Sequence, residues 1–159
     1  MRGLIQRVKQ ASVSIALPAD KKGMKSCQVV GEISQGIVLL LGIQKNDGYE
    51  QADKLLQKII RYRIFSDEQK KMNLSVEDIV GGLLIVSQFT LAADTQKGLR
   101  PSFSSAAEPA LAKQLYDYFV KQAQQYAVSS RLHIASGVFA ADMQVSLVND
   151  GPVTFLLET

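Results

Sequence analysis

Leu83-Leu84-Ile85-Val86-Ser87-Gln88-Phe89 is apolar almost without interruption until it reaches Ser87. A short run with no polar alternation reads as a strand buried on both faces, near the centre of a sheet. The pattern changes on either side of it. Upstream, Ala52, Leu55, Leu56, Ile59 and Ile60 recur at helical spacing and mark one apolar face, with Asn46 or Asp47 offered as N-cap. Downstream, a second helix is expected to start near Pro109, with Leu111, Leu115, Tyr118, Phe119, Gln122 and Tyr126 turned inward.

The flanks of this centre read as strands. Leu4–Ile15 alternates in part and reads as one long or bent strand. Val29–Ile33 and Ile37–Ile43 read as a hairpin turning at Ser34-Gln35-Gly36, after a polar loop over 17–27. Tyr62–Phe65 reads as a short strand, Asp67–Asn73 as a polar turn, and Thr90–Pro101 as a loop carrying Lys97, Gly98 and Arg100. Three strands are expected to close the chain: Leu132–Ala135, Met143–Val148 and Val153–Leu157. Strands with two interspersed helices predict an α+β protein, a mixed, barrel-like sheet with both helices packed outside. One domain spanning 1–159 is expected, since 159 residues suffice for a real core.

Composition narrows the function. Hydrophobic residues make up 47%, a globular proportion. The longest apolar run, Gly36–Ile43, is far too short to span a bilayer, and Met1–Val8 turns polar too early for a signal peptide. No membrane association and a cytoplasmic location are therefore expected. The net charge of +3 and the sequence pI of about 9.0 favour a polyanionic partner only weakly. With one Cys and one His, a Cys/His zinc site lacks ligands; carboxylate-only metal sites stay open, though no close-spaced acidic loop of the calcium type appears, and no cofactor is expected. Cys27 reads as an exposed loop thiol, and His133, in an alternating strand, as structural or solvent-facing.

Two segments carry chemistry. Ser87-Gln88-Phe89-Thr90-Leu91 ends the most apolar strand and precedes a basic loop. Ser87 or Thr90 as nucleophile would need a base, and the only His lies elsewhere in the sequence. Successive backbone amides at Phe89 and Thr90 offer a role without a base, holding a developing oxyanion, with Gln88 free to hydrogen-bond a substrate. The second segment is Asn149-Asp150-Gly151-Pro152-Val153-Thr154. Gly151 permits close approach, and Pro152 is the residue type that accepts a cis bond. Such a dipeptide presents bare carbonyls in a fixed direction.

These two segments together resemble the signature pair of the D-aminoacyl-tRNA deacylases. The similarity continues in order through Met1–Val8, Ala11-Ser12-Val13, Tyr62–Asp67, Lys71-Met72-Asn73, Lys97–Phe103 and Phe139–Val145. It weakens over 17–28 and Val128–Ser136. The resemblance implies hydrolysis of the ester joining a D-amino acid to the terminal adenosine of tRNA, by a homodimer with a barrel-like fold and no metal. It implies a reaction pocket at Ser87, Gln88, Phe89 and Thr90. It also implies a chirality gate at Gly151 and Pro152, joined by a cis bond and reaching into the partner's pocket. Arg7 would orient this gate, and Asn149 and Met143 would belong to the same substrate-binding region. Lys97 and Arg100 are candidate tRNA contacts.

The implied mechanism is modest. The ester is already activated; a water molecule attacks, with the 2′-hydroxyl of the tRNA available to assist. The gate rejects L-residues by clash, so glycyl-tRNA is expected to be a substrate too. Two other classes compete. An RNA-binding module fits the basic pI, but the sequence carries no recognisable aromatic stacking motif. A Ser or Thr hydrolase of small esters would need the missing base.

Overall fold

The computed structural model describes residues 1–17, 26–95 and 98–159. Its frame is β1 (Arg2–Ala16), a strand long enough to serve two neighbours along one edge and a single long one along the other. On one edge, β2 (Cys27–Ile33) pairs with the second half of β1 and β3 (Gly36–Gly42) with the first half, both antiparallel. β2 and β3 do not form the expected hairpin with each other. Ala11 faces Ile33 and Val8 faces Gly36, so Ser34–Gln35 is a bend in one continuous register against β1. The reason is backbone geometry. A two-residue hairpin turn needs positive φ, and none of Ser34, Gln35 and Gly36 has it.

β3 then pairs in parallel with β6 (Gly82–Ser87), and β6 in parallel with β7 (His133–Ser136). Parallel neighbours need crossovers, and the two helices supply them. α1 (Tyr49–Ile60) lies between β3 and β6, and α2 (Pro109–Ser130) between β6 and β7. The predicted central strand is indeed central: Leu83, Leu84, Ile85 and Val86 are all buried. Leu83 and Ile85 face the helices, beside Leu55, Ile59 and Phe119. Leu84 and Val86 face the opposite side, against Val8, Val13, Ile33 and Val38 inside the curved sheet. The result is the mixed, nearly closed barrel with helices outside that the pattern predicts.

Several local readings change. α1 is capped by Gly48, whose amide donates to Gln51 Oε1 at 2.9 Å. Asp47 is already engaged, accepting from the Gln44 amide at 2.6 Å and the Met1 amino group at 2.5 Å. On α2 the buried positions are Leu115, Tyr116, Phe119 and Ala123, whereas Gln122 and Tyr126 are only half-buried. Within Tyr62–Ser66 only Phe65–Ser66 forms a strand, β4, which pairs with β5 (Met72–Leu74) across the Asp67 turn. Cys27 is exposed, as expected, but starts β2. Most of the 17–27 loop lies outside the described residues. Among the described residues no helix is long and apolar enough to cross a membrane.

The chain closes with β8 (Met143–Glu158), antiparallel along the other edge of β1. It replaces the last two expected strands with one strand that bulges. Gln6 faces Thr154 and Val8 faces Asn149, so Arg7 alone stands opposite the four residues Asp150–Val153.

Candidate active site

At the end of β6 the chain turns into a short 3-10 helix, Phe89–Ala92, where the sequence reading expects loop. Its position is set by close packing. The Gln88 amide donates to Leu41 O at 2.8 Å, and Arg2 Nη1 donates to Leu91 O at 3.0 Å. A Cβ on Gly42 would stand 2.8 Å from Leu91 Cβ, so glycine there lets the helix sit directly on β3. The first amides of such a helix have no acceptor inside it. The Leu91 and Ala93 amides bond back to Gln88 O and Thr90 O. Phe89 and Thr90 are the first two residues of the helix, so neither amide has an acceptor within it.

Beside these amides lies a cavity of about 510 Å³, the size of a small-ligand site. Ser87, Gln88, Phe89 and Met143 all line it. Its other walls come from the Ala106–Ala112 approach to α2 and from the turn at Phe139, Ala140 and Ala141. Phe139–Ala141 falls in a segment that carries the family resemblance, whereas Ala106–Ala112 does not; both walls are apolar or small and contribute shape. Among the described residues no charged side chain lines the cavity. Thr90 is exposed beside the cavity, and its Oγ1 accepts from Gln88 Nε2 at 2.5 Å. That partner is an amide donor and cannot take a proton from the hydroxyl. His133 is no help: it pairs with Gly82, at the far end of β6 from Ser87. Five residues of strand separate the two levels, about 17 Å.

Tyr116 braces the Phe139 wall. Its hydroxyl bonds to Ile85 O at 3.0 Å and Gly137 O at 3.1 Å, and its ring lies 5.7 Å from that of Phe139. Burial, and secondarily the Asp117 charge, push its pKa up to about 12.

A second cluster forms on the β8 bulge. The Gly151–Pro152 bond is cis and Gly151 has φ of +134°. Both residues are exposed. Arg7, largely buried, donates from Nε to Asp150 O at 3.0 Å and from Nη1 to Ile64 O at 2.6 Å. Its Nε also lies 3.3 Å from Asp150 Oδ2. A Cβ on Gly151 would stand 3.1 Å from Arg7 Nη2. Asn149 ties the far end of the bulge, accepting from the Val153 amide at 2.9 Å and donating to Thr154 Oγ1 at 3.2 Å. None of Arg7, Asn149, Gly151 and Pro152 lines the cavity of their own chain. Arg100 is exposed in the loop after the 3-10 helix, and Lys97 lies outside the described residues. Among the described residues no three His, Cys, Asp or Glu side chains are grouped to hold a metal ion.

The family model described as D-Tyr-tRNA(Tyr) deacylase matches residues 4–158. The chain belongs to this deacylase family. A D-aminoacyl-tRNA deacylase of Cellvibrio japonicus is 60% identical over 99% of both chains. One from Haemophilus ducreyi is 58% identical over the same shares. Among solved structures, the c-Myc DNA unwinding element binding protein superposes with a TM-score of 0.86 at 36% identity, covering 100% of this chain and 99% of that one. A probable eukaryotic D-amino acid tRNA deacylase shares the deacylase fold at a TM-score of 0.78 and 16% identity, covering 99% and 98%.

Proposed function

We infer that this member of the deacylase family hydrolyses the ester of D-aminoacyl-tRNA, releasing the free D-amino acid and tRNA. The observation that carries the mechanism is a cavity lined by no charged side chain among the described residues, next to the first two amides of the 3-10 helix. An enzyme built this way has no side-chain general base there. It suits a substrate that needs little activation. An aminoacyl ester is such a substrate. Water attacks its carbonyl, the Phe89 and Thr90 amides hold the oxyanion, and Gln88 orients the bound nucleoside. The 2′-hydroxyl of the terminal ribose takes the part of the missing polar catalyst.

The gate reading adds selectivity. Gly151 and Pro152 are exposed and do not line their own cavity. β8 pairs only with β1 among the described residues and carries exposed Val145, Val148, Phe155 and Leu156. An open apolar edge of this kind favours a second copy. In a homodimer the dipeptide of one protomer enters the cavity of its partner, and its carbonyls exclude an L side chain. Glycine has no side chain to exclude, so glycyl-tRNA is hydrolysed too. Arg100 and Lys97 serve as phosphate contacts. Replacing each with Ala should lower the salt slope of binding by about 0.7–0.9.

The test is deacylation of matched D-tyrosyl-, L-tyrosyl- and glycyl-tRNA. Turnover of the D and glycyl esters with the L ester spared is expected. Sparing glycyl-tRNA as fully as L-tyrosyl-tRNA would mean that a D side chain is recognised positively, and would end the rejection-only reading.

A further inference from the structure

We propose that the Phe89–Phe103 ring pair is a stacking platform for an unpaired base of the substrate RNA, the one immediately 5′ of the esterified nucleoside. The proposal rests on the reading of the chain as acting on tRNA. The two rings meet with centroids 5.1 Å apart and planes tilted by 42°. Both face water, with Phe89 65% and Phe103 41% exposed. Large rings left in water beside a cavity need a reason. By contrast, in the Tyr116–Phe139 pair Tyr116 is buried and Phe139 half-buried.

Position supplies the reason. Phe89 lines the cavity and also carries the first amide of the 3-10 helix, so its exposed ring marks the way out. A strand whose last nucleoside fills the cavity passes this ring as it leaves. Phe103 is held by its neighbours. The Asp94–Ser102 bridge fixes the residue before it. The Ala106 amide donates to Phe103 O at 3.0 Å, and Ala106 in turn bridges Gln44. Mutual contact already limits both rings, so little side-chain freedom remains to be lost on binding.

Charge matches the occupant. Arg100 is exposed in the segment closed by the Asp94–Ser102 bridge. Lys45 is exposed too, and its amide donates to Ser105 O at 3.1 Å, two residues past Phe103. Aromatic faces flanked by cations suit a single strand, which offers bases to stack and phosphates to neutralise. The sequence reading finds no stacking motif because the two phenylalanines lie fourteen positions apart in the chain. Only the fold joins them.

The test places 2-aminopurine immediately 5′ of the terminal adenosine of a tRNA and follows its fluorescence on binding. Wild type should quench it, and Phe103→Ala and Phe103→Leu should not. Both variants should lose about 5- to 150-fold in kcat/KM on D-aminoacyl-tRNA, the equivalent of one stacked base. Neither should change kcat/KM on D-aminoacyl-adenosine, which lacks that base. Equal losses on both substrates would make Phe103 a mere support for Phe89 and overturn the proposal. So would full activity and quenching in Phe103→Leu, or dissociation of a dimer by Phe103→Ala in sedimentation. Quenching without hydrolysis of any ester would sink the deacylase reading and leave the platform standing; hydrolysis without quenching would do the reverse.

Discussion

Arg7 Nε donates to the carbonyl oxygen of Asp150 at 3.0 Å, one residue ahead of the Gly151–Pro152 bond. The same guanidinium reaches Ile64 O at 2.6 Å, so one side chain ties the bulge to the segment before β4. A hydrogen bond from a charged group contributes about 1.5–3 kcal/mol. If that energy holds the gate in place, Arg7→Ala should raise kcat/KM on L-tyrosyl-tRNA by roughly 10- to 100-fold. Turnover of D-tyrosyl-tRNA should fall much less. Arg7→Lys should rescue little, because one ammonium cannot replace a fork that reaches both carbonyls. Parallel losses on D and L substrates would place Arg7 in general stability instead.

Thr90→Ala should keep activity within about tenfold of wild type. The Thr90 hydroxyl accepts from Gln88 Nε2 and has no base beside it. Its backbone amide survives the substitution. Loss of an oxyanion donor typically costs about 10²–10³ in rate, which separates the two roles. Single-turnover deacylation would decide between them. A fall beyond 10³ with the fold intact would restore Thr90 as nucleophile.

Tyr116 should make stability fall at alkaline pH. Its pKa is raised to about 12, first by burial and then by Asp117, whereas an unfolded tyrosine ionises near pH 10. Below pH 10 both states hold the proton and the stabilisation is fully present. Between about 10 and 12 the unfolded chain sheds the proton first, so unfolding becomes easier as pH rises. The loss reaches about 3 kcal/mol. Urea midpoints from pH 8 to 11.5 should fall more steeply in wild type than in Tyr116→Phe. Identical slopes would mean that Tyr116 titrates normally.

Much of this was legible in the chain. The run Leu83–Val86 gives a strand buried on both faces because β6 truly has helices on one side and the sheet interior on the other. The α1 face is right at every position because a single amphipathic stripe meets a single core. Errors arise where identity of residues underdetermines partner choice. Ser34–Gln35 is polar and exposed in a hairpin turn or in a bent strand alike, and the backbone angles that separate the two are not written in the residue types. Tyr116 is missed because its apolar neighbours are remote in sequence, and its hydroxyl bonds to carbonyls at the ends of β6 and β7. The cavity walls at Ala106–Ala112 and Phe139–Ala141 are uncharged side chains, small apart from Phe139, whose use is shape, and shape has no pattern along the chain.

Asn149 and Arg7 hold opposite ends of one bulge. Arg7 binds the carbonyl of Asp150 at its start, and Asn149 Oδ1 accepts from the Val153 amide at its end. The two residues between these fixed points have little freedom; with either point released, the remaining tether no longer sets the direction of the dipeptide. Losing the first hold should therefore cause most of the damage, and losing the second should add less. In a double-mutant cycle on L-rejection, the Arg7→Ala/Asn149→Ala variant should fall short of the sum of the single effects by about 0.5–3 kcal/mol. Thr154→Val removes only the weaker contact of Asn149 at 3.2 Å and should change selectivity little. The cycle is read from the ratio of kcat/KM for D- and L-tyrosyl-tRNA in the four proteins. Additivity within about 0.3–0.5 kcal/mol would mean that the two side chains act on separate features, and that the bulge is not the unit that selects the substrate.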